Sequence, residues 1–594
     1  MSRKRGLGNL SVKQISELMN VATGKEKADL AVVNANLVNV YTGELLSNYS
    51  VAIKGERVAY VGPKVEPSIG PRTQVIDGTG KVLIPGLIDA HTHLIYLFLP
   101  SEFVPYAIRG GTTSLITETQ EITFSTGYEG CREYIASLRD QPIKMFATLP
   151  PLVTISPTSE EFALTPAQIR KLLREPDVVG LGETYWAPAV QGNKRLLAYF
   201  SETMKAGKVV EGHSAGARDE KLMAYVAAGV SSCHEPITIQ EVVDRLRLGL
   251  HVPLRQGSIR KDIRAIVPML KDGIELRRVM MCTDGVDPKD LARYGYMEWV
   301  VQEAIDVGLD PIKAIQMATI NAAEHFSLDN IIGGIAPCKY ADMVLIPELK
   351  SIKAQLVISN GKIIAQNGQI LVPPRRHNFP EWTRHTFKLP RPLTTADFAI
   401  KVGDEDGKVK VRVIDYVTDL VSREALEEVP VSGGFISPDI GRDLLKCASI
   451  DRLYRPGQMA VALVRGFKMK KGAFASSASW DCGSISVIGA SEADMALAVN
   501  RLAEIQGGAI VASEGKIVHE VPLPIGGFLS ELPMDVVANQ LNELKRILAA
   551  IGCNLQDPHL SLTLLTTAAI PHLRLSEYGL VNLRDGRRVE LVVE

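Results

Sequence analysis

Pro85-Gly86-Leu87-Ile88-Asp89-Ala90-His91-Thr92-His93-Leu94 is the stretch that decides how this chain is read. It is a hydrophobic run that ends in a His-x-His pair. Side chains alternate faces along a β-strand, so residues two apart point the same way. His91 and His93 therefore offer two imidazoles to one point where a strand leaves its sheet. That geometry suits a metal ion, and further donors recur at similar strand ends. The pattern predicts a metal-dependent hydrolase.

Around this run, residues 82–330 alternate strand-like apolar segments with helical ones, the texture of an α/β protein built as a (β/α)8 TIM-like barrel. Eight strands are expected, at 82–90, 113–117, 144–148, 178–181, 209–213, 230–234, 251–254 and 279–283. Helices are expected between them, for example at 221–228 and 297–306. An amphipathic helix over 11–22 precedes a block of short strands within 28–76, and the same texture returns at 341–346 and 355–358. The two blocks are expected to pair into one small β-sandwich domain with the barrel inserted between them. The predicted division is 1–81 (helix and first part of the β domain), 82–330 (barrel) and 331–372 (second part). A Pro- and Arg-rich linker, 373–392, follows, and then a C-terminal α+β domain, 393–594. Its clearest element is a helix over 494–507, with Ser491 as N-cap and Asp494 three residues on, in the manner of a capping box.

The 594 residues are 46% hydrophobic and 22% charged, enough to fill several cores, and the net charge of −1 gives no footprint for a nucleic acid. The basic cluster Lys468 to Lys471 reads as a solvated face. Seven scattered cysteines without a CxxC pair point to free thiols in a reducing compartment. Arg3, Lys4 and Arg5 are not followed by an apolar run, so no secretory signal is expected, and no stretch reaches membrane-spanning length. A cytoplasmic protein without a membrane partner is expected.

Five of the eight expected strands end in metal-competent side chains. They supply His91 and His93, Glu183, His213, His234 and Asp284. Singly, each has an ordinary structural explanation: a core histidine, a salt-bridge partner, a helix cap. Chance would have to place such residues repeatedly at strand ends. Four imidazoles and two carboxylates exceed one tetrahedral ion and suit two divalent ions with a carboxylate bridge. Water acidified there would attack an sp² carbon, and a nearby carboxylate would carry its proton to the departing nitrogen. Asp284 is the expected shuttle and Glu183 the bridge.

Together these motifs resemble the amidohydrolase superfamily and, within it, the bacterial adenine deaminases. The resemblance spans nearly the whole chain: Ala28-Asp29-Leu30, Val40-Tyr41-Thr42-Gly43-Glu44, Gly180-Leu181-Gly182-Glu183, Glu211-Gly212-His213, the run from Ala224 to Glu235, Arg255-Gln256-Gly257-Ser258 and Cys282-Thr283-Asp284. Asp494 to Leu502 and Val521 to Gly527 resemble the C-terminal domain peculiar to these deaminases, which a generic amidohydrolase lacks. The resemblance implies conversion of adenine and water to hypoxanthine and ammonia, by attack of metal-bridged hydroxide at C6. It implies two divalent ions, Mn or Fe(II) ahead of Zn, on His91, His93, Glu183, His213, His234 and Asp284. Gln120, Glu121, Arg255 and Glu235 are the expected substrate-binding groups, and a homo-oligomer, dimer or larger, is the expected assembly.

The chain also departs from that family. Ile-Glu-Ser-Ser after the histidine pair is here Leu94-Ile95-Tyr96-Leu97, and Asp-Pro-His-Glu is Glu118-Thr119-Gln120-Glu121. Thr-Asp-Asp is Thr283-Asp284-Gly285, and His-Asp-Ser-His is Trp480-Asp481-Cys482-Gly483. Polar pocket groups set substrate choice, so these changes leave open a cyclic-amide hydrolase that opens a related N-heterocycle. A catalytically dead scaffold would show eroded ligands, and none is missing here. The segment from Trp480 to Gly483 is where a C-terminal wall or lid over the site is expected.

Overall fold

The computed structural model describes residues 8–593 apart from 95–96, 271–272 and 404. Arg3, Lys4, Arg5, Ile95 and Tyr96, named above, lie outside the described residues. Five parallel strands run in chain order: Leu87–Thr92, Thr112–Thr117, Lys144–Leu149, Val178–Tyr185 and Val209–His213. Val252–Arg255 and Val279–Cys282 form a further parallel pair. The sheet curls into a TIM-like barrel. The Ser231 N–H donates to the Val210 carbonyl at 2.9 Å and the His251 N–H to Ser231 at 2.9 Å, joining the two sets. The Asp284 N–H reaches the His91 carbonyl at 3.0 Å and so links the last strand to the first.

Two expected strands are corrected. Residues 230–234 shrink to a single parallel bridge between Ser232 and His251. Residues 233–237 carry no regular structure, and Pro236, two residues past His234, has no N–H with which to extend a ladder. The expected strand 82–90 is two strands, Val82–Pro85 in the small sheet and Leu87–Thr92 in the barrel. They part at Gly86, where a Cβ would lie 2.0 Å from Thr113 Oγ1, so only glycine lets the chain pass. The strand Val178–Tyr185 also runs four residues beyond its expected end.

Strands from both flanking blocks share one nine-stranded sheet, joined where Val82–Pro85 pairs with Met343–Ile346. Gly361, at φ +71°, sits so close to Gly55 that a Cβ would lie 2.0 Å from the Gly55 carbonyl oxygen. Two hairpin tips distant in sequence meet there, and strands of both blocks share a core including Leu30, Val51, Leu83, Met343 and Leu356. Farther along the chain an eight-stranded sheet runs from Ser422–Val431 at one edge to Lys516–Pro522 at the other, with helices Glu492–Glu504 and Met534–Ala550. Ser491 caps the first of these, accepting from the Asp494 N–H at 3.3 Å. The Asp494 carboxylate does not close the box. It accepts from the N–H groups of Glu514 and Gly515 instead.

The segment expected as a linker is a packed strap. Arg375 donates to the Ala136 and Arg139 carbonyls at 2.6 and 2.9 Å, and Phe379 and Phe387 are buried. On the other side the fully buried Arg452 donates to Thr386 Oγ1 at 2.7 Å. Its arginines and aromatics find partners on both neighbours, so the strap does not behave as a free spacer.

Candidate metal centre

The six donor residues converge at the C-terminal end of the barrel strands, and the most exposed of them, His213, is 8% exposed. His91 and His93 share a strand face, as their spacing requires. Glu183 comes from the fourth strand, His213 from the fifth, His234 from the bridge segment and Asp284 from the turn after the last strand. Three donor triads have all their atoms within 4.8 Å of one another: His91–His93–Glu183, His91–His234–Asp284 and Glu183–His213–His234. Glu183 belongs to two of them. Its Oε2 lies 3.1 Å from His234 Nε2 and 3.2 Å from His213 Nδ1, while Oε1 lies 3.7 Å from His93 Nε2. Asp284 Oδ1 is 3.4 Å from His91 Nε2 and 3.5 Å from His93 Nε2. His91 Nε2 is buried without a hydrogen-bond partner. An unpaired buried nitrogen among converging carboxylates is costly unless a cation is its partner, and the imidazole–carboxylate set fits a divalent cation.

A second layer holds these donors. Asp89 accepts from the N–H groups of His91 and Thr283, both at 3.1 Å, and from Thr283 Oγ1 at 2.6 Å, which ties the first strand to the last. Burial pushes its carboxyl up to about 7. His93 Nδ1 lies 2.6 Å from Glu121 Oε1, a carboxylate contact that fixes ring orientation and tautomer. Glu118 accepts from the Glu183 N–H at 3.1 Å, and burial pushes it up to about 8.

Above the cluster lies a cavity of about 280 Å³. Glu235 and Arg255 line it, as expected, but they pair with each other, and Arg255 Nη1 also reaches Asp284 Oδ2 at 3.2 Å. Burial alone would raise the Glu235 carboxyl; Arg255 and His213 beside it outweigh that and hold it below its ordinary range. Gln120 and Glu121 do not line this cavity. Gln120 stands behind the wall, donating from Nε2 to Asp481 Oδ1 at 2.7 Å, and Glu121 is turned to His93. Both sit buried in the first turn of the helix that begins at Gln120.

The opposite wall comes from beyond residue 419. Leu420, Leu560, Leu564, Ile570 and Thr567 face the cavity with Trp480, whose ring centroid lies 5.2 Å from that of His93. Asp481 sits behind Trp480, where burial pushes its carboxyl up to about 6. Of these, the sequence pointed to the Trp480–Gly483 segment as a wall. Tyr185, which also lines the cavity, carried a usable signal: it follows Glu183 by two and so shares its strand face.

Residues 82–364 match the amidohydrolase family, and residues 419–587 match the adenine deaminase C-terminal domain. The adenine deaminase of Moorella thermoacetica is 35% identical over 583 residues, covering 97% of this chain and 98% of that protein. This chain belongs to the adenine deaminase family. The family's adenine deaminase from Cenarchaeum symbiosum is 34% identical over 575 residues, covering 96% of this chain and 94% of that one. Among solved structures, the β-aspartyl dipeptidase of Fervidobacterium islandicum AW-1 overlaps 59% of this chain and 98% of its own, at 20% identity and a TM-score of 0.46. In this adenine deaminase family member the cavity lies between the two matched regions, its floor in the first and its apolar wall in the second. All seven cysteines are free, and no helix among the described residues is long and apolar enough to cross a membrane.

Proposed function

We propose that this protein deaminates adenine, turning adenine and water into hypoxanthine and ammonia. The observation that carries this reading is the match to adenine deaminases over almost the full length of both chains, C-terminal domain included. The six donors suit two divalent cations, Mn or Fe(II) ahead of Zn. His91, His93 and Asp284 would hold one, His213 and His234 the other, with Glu183 shared between them. Such cations supply the acidity that makes water a nucleophile near neutral pH and the positive charge that favours an oxyanion.

The protein's own groups do the rest. Asp284, within reach of two ligand imidazoles, takes the proton released by water and returns it to the departing amine. Arg255 holds the other oxygen of Asp284, which aims the carboxylate into the cavity. Trp480 and the leucines of the opposite wall give the flat base an apolar slot and exclude bulk water. The reading keeps the barrel at 82–330, a β domain from 1–81 and 331–372, and a C-terminal domain from 393, in a cytoplasmic homo-oligomer.

Ammonia release from adenine by Mn(II)-loaded protein, with hypoxanthine followed by its ultraviolet spectrum, tests it. Turnover is expected. Two bound cations per chain without ammonia would overturn it and return attention to ring-opening of cyclic amides, which the relatives do not favour.

A further inference from the structure

Arg574 lies on the strand Leu573–Ser576 and is fully buried. Its Nε donates to the Ile570 carbonyl at 2.9 Å and its Nη2 to the Leu420 carbonyl at 2.7 Å, with the Pro571 carbonyl 3.4 Å from Nη2. Nη1 donates to the Tyr416 hydroxyl at 3.2 Å. None of these oxygens is charged. A guanidinium whose partners are neutral is costly to bury, so what its hydrogens are spent on is informative.

Leu420, Ile570 and Pro571 all line the cavity, in the wall that faces the donor cluster. The Tyr416 hydroxyl extends the same anchorage. Arginine can only donate, so this hydroxyl accepts from Arg574, and its own single hydrogen goes to the Ser561 carbonyl at 2.9 Å. Ser561 sits in the helix Pro558–Thr563 beside Leu560, which also lines the cavity. Three wall segments, around residues 420, 560 and 570, thus meet at one side chain. Leu420 lies in the connection between Gly407–Tyr416 and Ser422–Val431, and Ile570 and Pro571 precede Leu573–Ser576, so no strand ladder fixes these residues. Arg574 itself does not line the cavity and can act on it only through these segments.

We propose that Arg574 is the positioning residue of the cavity's apolar wall: its guanidinium sets where Leu420, Leu560 and Ile570 stand relative to the donor floor, and so how tightly a flat substrate is held. The inference rests on the reading above for its substrate, while the anchoring of the wall is independent of which base is bound. A planar fork with fixed donor directions can hold several carbonyls at a set spacing, which the point charge of a lysine cannot reproduce.

Arg574→Met and Arg574→Lys are compared with wild type as full-length, metal-loaded protein, by kinetics on adenine, metal analysis and hydrogen–deuterium exchange. Arg574→Met is expected to raise KM about tenfold or more, with kcat and metal content changed much less, since the donors are untouched. Amide exchange over 417–421, 558–564 and 568–572 should quicken while the donor strands keep their protection. Arg574→Lys should recover only part of the KM; full recovery would overturn the role of the fork. Tyr416→Phe keeps the ring and cuts only the link to Ser561, so it serves even if Arg574→Met fails to fold. It should raise KM about three- to tenfold, the worth of one hydrogen bond, and quicken exchange over 558–564. Unchanged KM and unchanged wall exchange in either folded variant overturns the proposal. Should wild type leave adenine unconverted, the reaction above falls, and the exchange comparison alone decides the anchoring of the wall.

Discussion

The floor and the wall of the cavity are built on opposite principles. The floor is charged and redundant: six donors from the barrel, held by Asp89, Glu118 and Glu121 behind them. The wall is apolar, with one buried carboxylate, Asp481, behind it. The floor carries the groups proposed for chemistry, and the wall those proposed for binding. Variants in the floor should therefore lower kcat and metal content, and variants in the wall should raise KM or change preference.

The largest effect is expected at Asp284. Asp284→Asn should keep the fold and lower kcat on adenine by about a thousandfold or more, the loss expected on removing the proposed proton shuttle. Steady-state kinetics with circular dichroism checks it; near-wild-type turnover removes Asp284 from the mechanism. Next comes Glu121→Gln, which keeps a hydrogen bond to His93 but not its charge. Metal affinity or activity should fall about 10–100-fold, read by metal analysis after dialysis. Unchanged metal content would mean that the 2.6 Å contact orients nothing of consequence.

In the wall, Trp480→Ala should raise KM for adenine about tenfold and change kcat much less, since the aromatic face it removes serves binding. A collapse of kcat with loss of metal would erase the distinction between floor and wall.

A separate effect, on stability, is expected outside both. The Glu298 carboxyl is buried, with Oε2 lacking a partner, and burial pushes it up to about 7. A raised folded value means the fold prefers the protonated acid. This contribution is complete below about 4.5 and is lost as pH rises through about 7, for at most about 3 kcal/mol. Thermal unfolding of Glu298→Gln should show a flatter pH dependence than wild type between those values. Parallel curves would remove Glu298 as the cause.

How much of this was legible in the sequence follows the same line. The floor's donors obey local rules: a two-residue strand period for His91 and His93, and strand ends for Glu183, His213, His234 and Asp284. Tyr185 obeys the first rule too, but the expected strand stops at 181, before the glycine-containing stretch shows its full length. The wall obeys no local rule. Gln120 and Asp481 stand 361 positions apart and meet only through packing of the C-terminal sheet on the barrel. Gln120 therefore reads as a pocket group until the structure turns it to Asp481. The strap fails in a similar way, since proline and arginine spacing cannot show that Arg375 and Thr386 have partners on two bodies.

The order of floor and wall along the chain has a consequence for synthesis. The last floor donor, Asp284, leaves the ribosome about 290 residues before Pro571, the last residue of the wall. At about 5–20 residues per second the wall trails the floor by roughly 15–60 s. During that interval the nascent chain presents its donors from directions that Trp480 and Leu564 later cover.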